Sequence, residues 1–161
     1  MLISSARHKR ANTKPYSTGE KENRPWGFFE VLDVGINKLG EEFCEKTIGV
    51  KPMKALSLQR HRLRRETWRV EQGELTVVLN GDLHKLTEGQ TIEIPLKAAH
   101  CMINTTKEMV VVNEIQTGIC READNDRLCD FNGRDVVELM STDIEAIASK
   151  EIYEKIVKSM I

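Results

Sequence analysis

The chain has 161 residues, 40% of them apolar and 30% charged, and its 24 Lys and Arg stand against 25 Asp and Glu for a net charge of −1. That length is one domain with a core of its own. The charge balance gives no steering toward nucleic acid or an anionic membrane, and apolar runs such as Val110–Val112 fall far short of the roughly 20 residues a membrane helix needs.

Residues 1–23 are polar, carry Pro15, Gly19 and a basic cluster from Arg7 to Arg10, and show no hydrophobic period. They read as a flexible N-terminal arm with a solvated cluster. The cluster follows the short apolar opening, whereas a secretory signal puts its charges first. Cys44, Cys101, Cys120 and Cys129 form no CxxC pair, which points to free thiols in a cytoplasmic protein. From Arg24 onward, short apolar or alternating runs recur. FFEVLDV ends at Gly35 and EEFCEKTIGV at Lys51-Pro52. ALSLQRH comes next, and TWRVEQGELTVVL breaks at Gly73 and ends at Asn80-Gly81-Asp82, a strong hairpin signal. TIEIP, HCMIN and EMVVVNEIQ complete the series. Strand-length runs spaced by about 8–12 residues, with no helices between them, predict an antiparallel sandwich or barrel. Beyond Ser141-Thr142-Asp143, the positions Ile144, Ile147, Ile152, Ile156, Val157 and Met160 have helical spacing. Residues 143–160 therefore read as one or two amphipathic helices capped by Ser or Thr, their stripe covering the barrel or a neighbouring subunit. The divisions are an arm over 1–23, a barrel over 24–134 and a helical segment over 135–161.

Within this frame the chemistry gathers at few places. On a strand, Gln59 and His61 project to one face, and Glu66 follows across a bend. His100 is the supplier of a further ligand from a distant strand. Imidazole and oxygen donors together suit Zn²⁺, Mn²⁺, Fe²⁺ or Co²⁺. Spacing alone leaves a second arrangement open, with Gln59 and His61 hydrogen-bonded in the barrel and Glu66 paired to Arg64 or Arg65.

Several separated segments then resemble one family in order. Arg24-Pro25-Trp26-Gly27, LSLQRHRLRRETWRVEQGELTV, LTEGQTIEIPLKAAHCMIN, EIQTG and EADNDRLCDFNGR are similar to segments of the type II mannose-6-phosphate isomerases. The likeness runs to Gly133-Arg134. These are cupins, so the resemblance implies an all-β double-stranded β-helix with a C-terminal helical segment. The cupin metal pattern falls on Gln59, His61, Glu66 and His100, implying a divalent ion, Zn²⁺ foremost, with Co²⁺, Mn²⁺ or Fe²⁺ as substitutes. The implied reaction interconverts mannose 6-phosphate and fructose 6-phosphate by moving a proton between C1 and C2 through a cis-enediol. Such chemistry needs an ion on the sugar oxygens, a base at the carbon-bound proton and cations for the phosphate. Glu114 is the candidate base, with Gln116 on its face as a substrate contact. Arg127 takes the place of a catalytic or substrate-orienting arginine. The cations between Lys51 and Arg69 read as a solvated face or as a positive rim for a phosphosugar, with Arg64 the favoured phosphate contact. Trp26 and Trp68 read as packing residues.

Two departures from the family stand out. Leu63 replaces a histidine, and on a continuous strand it shares the face of His61, so a group of the site would be lost. Pro95-Leu96-Lys97 replaces a PPG turn. The chain has no room for the pyrophosphorylase domain that accompanies many family members, and no nucleotide site is expected. A phosphosugar is the expected partner, with no nucleic acid and no membrane, in a homodimer that covers open sheet edges. Non-catalytic sugar binding, or another metal-dependent cupin chemistry, is the alternative.

Overall fold

The computed structural model describes residues 14–161. Residues 1–13 of the expected arm, with the Arg7–Arg10 cluster, lie outside the described residues. Twelve strands precede one helix: β1 Lys21–Arg24, β2 Gly27–Ile36, β3 Glu42–Val50, β4 Lys54–Ala55, β5 Leu58–Arg60, β6 Arg64–Gln72, β7 Leu75–Leu79, β8 Asp82–Leu86, β9 Thr91–Ile94, β10 His100–Asn104, β11 Val110–Gly118, β12 Asp126–Cys129 and α1 Ile144–Ser159. They form two six-stranded antiparallel sheets. One runs β1-β2-β3-β11-β6-β9; the other runs β12-β5-β10-β7-β8, with β4 also paired to β10.

Residues 14–24 correct the expected arm. Pro15 bridges to Arg121, Tyr16 is buried, and β1 pairs with β2. The short polar run Lys21–Arg24 has no apolar alternation, so only its partner strand reveals it. A strand at β12 was likewise not expected, because DRLC reads as part of a loop.

The first sheet positions the chemistry through its register. Val112 lies opposite Ile48 and Val70, Glu114 opposite Lys46 and Trp68, Gln116 opposite Cys44 and Glu66, and Gly118 opposite Glu42 and Arg64. In β6 the side chains of Arg64, Glu66, Trp68 and Val70 are buried while Arg65 and Arg69 are exposed, the period of a half-buried strand. The interior therefore divides along its length. One half is apolar, with Ile48, Val50, Val70, Leu75, Val77, Ile94, Met102, Val110 and Val112 in contact. The other half turns Lys46, Arg64, Glu66, Glu114 and Gln116 inward, all buried.

Two tight turns matter to the site. Asn80 and Gly81, with φ of 45° and 84°, join β7 to β8 as expected. Asn80 Oδ1 accepts from Ala99 N at 2.9 Å, fixing the approach to β10. Gly118, at φ 131°, lets the end of β11 pass against Leu63, whose carbonyl would lie 2.3 Å from any Cβ there.

Residues 144–159 form one helix, and Asp143, not Ser141 or Thr142, caps it by accepting from Ala146 N at 3.4 Å. Its buried face, Ala146, Tyr153 and Val157, lies on Ala55, Leu58, Val78, Cys101, Ile103 and Leu128 of the second sheet. Of the expected stripe Val157 is buried, Ile152, Ile156 and Met160 pack partly against this cluster, and Ile144 is exposed; the helix buries Ala146 and Tyr153 instead. Among the described residues no helix is long and apolar enough to cross a membrane. The four cysteines are free. Burial pushes the Cys44 and Cys101 thiols up to about 12, leaving both protonated and inert at neutral pH.

Tyr153 ties the helix to the strand that carries Gln59. Its hydroxyl donates to Leu56 O at 2.7 Å and accepts from Phe131 N at 3.0 Å, with the ring fully buried. Tyr153→Phe leaves two buried backbone groups without a partner. It should cost about 1–3 kcal/mol, read as a lowered midpoint in urea denaturation with an unchanged slope.

Candidate metal centre and substrate cavity

His61 leaves the end of β5 in a turn, Glu66 stands on β6 and His100 opens β10. One ligand atom from each lies within 4.8 Å of the other two, and all three residues are buried. Glu66 Oε1 is 3.3 Å from His61 Nε2 and 3.2 Å from His100 Nε2. The other ring nitrogens are occupied: His61 Nδ1 faces Asp124 O at 2.6 Å and His100 Nδ1 faces Ala98 O at 2.8 Å. A carbonyl only accepts, so each Nδ1 carries the proton and each Nε2 presents a lone pair. Burial and the neighbouring Arg64 press His61 down to about 4, so its ring is neutral at pH 7. Three acceptors thus converge, and His100 Nε2 and Glu66 Oε1 are buried without a hydrogen-bond donor. Such a donor set fits a divalent cation, with each ring oriented by its second nitrogen.

Gln59 lines a cavity together with Glu66 and lies opposite His100 in the β5–β10 pairing. Its Oε1 accepts from Ser57 Oγ at 3.1 Å. The structure therefore brings together His61, Glu66 and His100, with Gln59 beside them.

Beside the cluster lies a cavity of about 570 Å³, counting the space open to solvent, and Glu66 is the cluster residue that lines it. Glu114 and Gln116 line it with Gln59, Arg64 and Glu66. Gln116 Nε2 donates to Glu114 Oε1 at 2.8 Å. Glu66 and Glu114 are split in acidity. Burial works to raise Glu66, but the two histidine rings and Arg64 outweigh it and hold this carboxyl well below the usual range. Burial and the Glu66 charge push Glu114 up to about 8. Like charges this close cannot both ionise freely, and the split assigns the proton to Glu114.

Three expectations are corrected in position. Arg64 is no rim residue. It is buried, its guanidinium donates to Arg121 O at 2.8 Å, and it lies 3.3 Å from His61 Nε2 and 3.7 Å from Glu66. Leu63 is not on the face of His61. Residues 61–63 are a turn, Arg62 N and Leu63 N both donate to the Asp124 carboxylate at 2.9 Å, and the Leu63 side chain is 51% exposed. Lys51–Arg69 forms no free positive rim either: Arg60 pairs with Asp143, Arg62 with Asp126, Arg65 with Glu41 and Arg69 with Glu71. Arg127 does line the cavity; Asp130 is taken by Arg134 at 2.7 Å and leaves it unpaired. Trp68 packs its ring against His100 at 5.5 Å, while Trp26 is buried on the cavity wall.

Lys46 is the residue that sequence reasoning missed. It is 4% exposed, lines the cavity and faces the Tyr16 ring at 3.6 Å. The signal was present. In β3 the buried positions Cys44, Lys46 and Ile48 alternate, and a lysine on the apolar phase of a strand is out of place unless it has a task.

Two packed antiparallel sheets with a buried histidine–carboxylate cluster between them define a cupin. The fold matches the cupin domain of Cnp3 from Schizosaccharomyces pombe with a TM-score of 0.51 and 11% identity, covering 65% of this chain and 73% of that one. It matches an oxalate decarboxylase from Lactobacillus farciminis with a TM-score of 0.56 and 17% identity, covering 68% and 33%. Sequence narrows the class further: the chain belongs to the mannose-6-phosphate isomerase C-terminal family, whose profile matches residues 11–130. It is 38% identical over 112 residues to a mannose-1-phosphate guanylyltransferase of Escherichia coli, covering 69% of this chain and 22% of that one. The same identity and coverages hold for the alginate biosynthesis protein AlgA of Pseudomonas aeruginosa. The chain spans about a fifth of the length of these curated relatives.

Two outcomes follow from this geometry. His61→Ala and His100→Ala should each abolish stoichiometric Zn²⁺ in elemental analysis after dialysis, while Leu63→His leaves the stoichiometry unchanged. In metal-free protein, Glu114 binds its proton more tightly when folded (about 8) than at its ordinary value of 4.5. The folded state then holds more protons between those values, so stability from this group is full below about 4.5 and is lost as pH rises through about 8. Glu114→Gln should therefore raise the melting temperature of metal-free protein at pH 8, by roughly 2–4 °C for each kcal/mol recovered, and leave it little changed at pH 4.5.

Proposed function

We propose that this chain is a metal-dependent isomerase interconverting mannose 6-phosphate and fructose 6-phosphate. The observation carrying the reading is a histidine–carboxylate ligand set whose Glu66 shares a cavity wall with a second carboxylate of opposite acidity, Glu114. Family membership supports it. His61, Glu66 and His100, with Gln59 beside them, would hold a divalent ion, which would supply Lewis-acid polarisation of the sugar's oxygens.

The chain's residues do the rest. Glu114, in its ionised form, takes the proton from one carbon and returns it to the other, and its place in a buried pocket keeps that proton from bulk water. A base poised near neutrality suits both directions of a reversible transfer. Gln116 fixes the carboxylate through the 2.8 Å bond to Oε1, which sets its orientation toward the carbon-bound proton. Arg64 holds positive charge beside Glu66 and stabilises the developing enediolate. Arg127, unpaired on the cavity wall, orients the phosphate end.

A second reading, phosphosugar binding without turnover, has one observation in its favour. The Arg64 guanidinium stands 3.3 Å from His61 Nε2, so a positive charge already faces one ligand of the set. A coupled assay with mannose 6-phosphate, run with Zn²⁺ and after chelation, separates the two. The isomerase reading expects turnover that chelation removes; binding with silence in both conditions selects the second. Under the first reading Glu114→Gln should lower kcat by about 10²–10⁴ with the metal content intact, checked by elemental analysis of the same sample.

A further inference from the structure

We propose that Lys46 and Arg127 form an anion subsite in the cavity, apart from the metal ligands, that takes a phosphoryl group. The proposal deepens the isomerase reading and rests on it for the identity of the sugar, though the subsite itself can be tested without turnover.

Five cations line the cavity: Arg24, Lys46, Arg64, Arg127 and Arg134. Three are compensated. Arg24 pairs with Glu22 and lies 3.7 Å from Glu122. Arg64 lies beside Glu66 and donates to Arg121 O. Arg134 grips both oxygens of Asp130, at 2.7 and 3.2 Å. Lys46 and Arg127 make no ion pair and donate no side-chain hydrogen bond to any described residue. Arg127 Nε is buried without a partner. Lys46 Nζ rests over the rings of Tyr16 at 3.6 Å and Phe29 at 4.5 Å, which hold the ammonium in place but cancel none of its charge.

A buried cation without a counter-charge is among the costliest features a fold can carry. Lys46, buried, and Arg127, half-buried with its Nε enclosed, share one cavity wall, and both are explained when the ligand brings the missing negative charge. The carboxylates on the wall do not fill that role. Glu66 belongs to the histidine cluster and Glu114 is bonded to Gln116. Glu122 accepts from the Tyr16 hydroxyl and faces Arg24. Its charge reaches Lys46 and Arg127, yet it lies within ion-pair distance of neither. A point charge and a planar fork together suit a doubly charged, three-oxygen phosphoryl group better than a single carboxylate.

The test is calorimetric titration of the full chain, freed of metal by chelation, with inorganic phosphate, mannose 6-phosphate and mannose. Both phosphate-bearing probes should bind and mannose should not. Lys46→Met and Arg127→Met should each weaken binding of both probes tenfold or more, while Lys46→Arg keeps most of it. Lys46→Met should melt no lower than the parent, since it removes an unpaired buried charge. If Lys46→Met fails to fold, Arg127→Met and Lys46→Arg carry the test. Wild-type protein that binds neither phosphate, or neutral variants that bind both as tightly as wild type, would overturn the subsite. Phosphate binding lost in the variants, in a protein with no turnover of mannose 6-phosphate, supports the subsite and removes the isomerase reading. Turnover unchanged by both variants removes the subsite and leaves the reading standing.

Discussion

Two imidazole nitrogens and a carboxylate oxygen held against one another set the terms for this structure. His61 and His100 each commit their Nδ1 proton to a backbone carbonyl, of Asp124 and of Ala98. What remains at Nε2 faces a carboxylate oxygen on both sides. Repulsion between acceptors is relieved by a cation, and the surrounding elements exist to keep the acceptors from moving apart. The segment after β11 does this from one side. Asp124 binds two amides of the 61–63 turn with its side chain and the His61 ring with its main chain. The Asn80 turn does it from the other, holding Ala99 next to His100.

The same register that builds the cluster supplies its chemistry. Glu66 and Gln116 are cross-strand partners, and Glu114 and Lys46 are the next pair along. Acid, base and cation are therefore separated by single steps of a ladder, where distances are set by backbone hydrogen bonds and not by loop conformations. The apolar half of the interior, with Trp68 against His100, keeps the local dielectric low. That environment turns a pair of ordinary glutamates into one ionised and one protonated group.

Much of this was legible in the sequence. The runs TWRVEQ and VVVNEIQ gave β6 and β11 and put Glu114 and Gln116 on one face, while Glu66 was singled out by its spacing from His61 across an expected bend; Asn80-Gly81 gave the hairpin. The failures share a physical cause. Leu63 was assigned the His61 face because the strand was carried one turn too far, and nothing local to RHRL says that Asp124, 61 residues away, folds it outward. Arg64 was read as a rim residue because arginine is rarely buried, although its even spacing with Glu66 and Trp68 pointed inward. Lys46 was passed over for the same reason. The segment Lys21–Arg24 pairs by its backbone alone, and a backbone pairing leaves no mark on side-chain pattern.

The division of the first sheet into even, inward positions and odd, outward ones has a consequence for how such a chain can vary over time. Substitutions at 65, 67 and 69, or at 113 and 115, change the outer face and leave the centre alone. Inserting or deleting one residue in β6 would put Arg64 and Glu66 out of phase with Trp68 and Val70, and one in β11 would put Glu114 and Gln116 out of phase with Val110 and Val112. Length in these strands is thus under stricter constraint than identity. Insertions fit only where the ladder stops, as at the exposed ends of β8 and β9, so lineages that differ in loop length there can keep the same chemistry while sharing few residues on the surface.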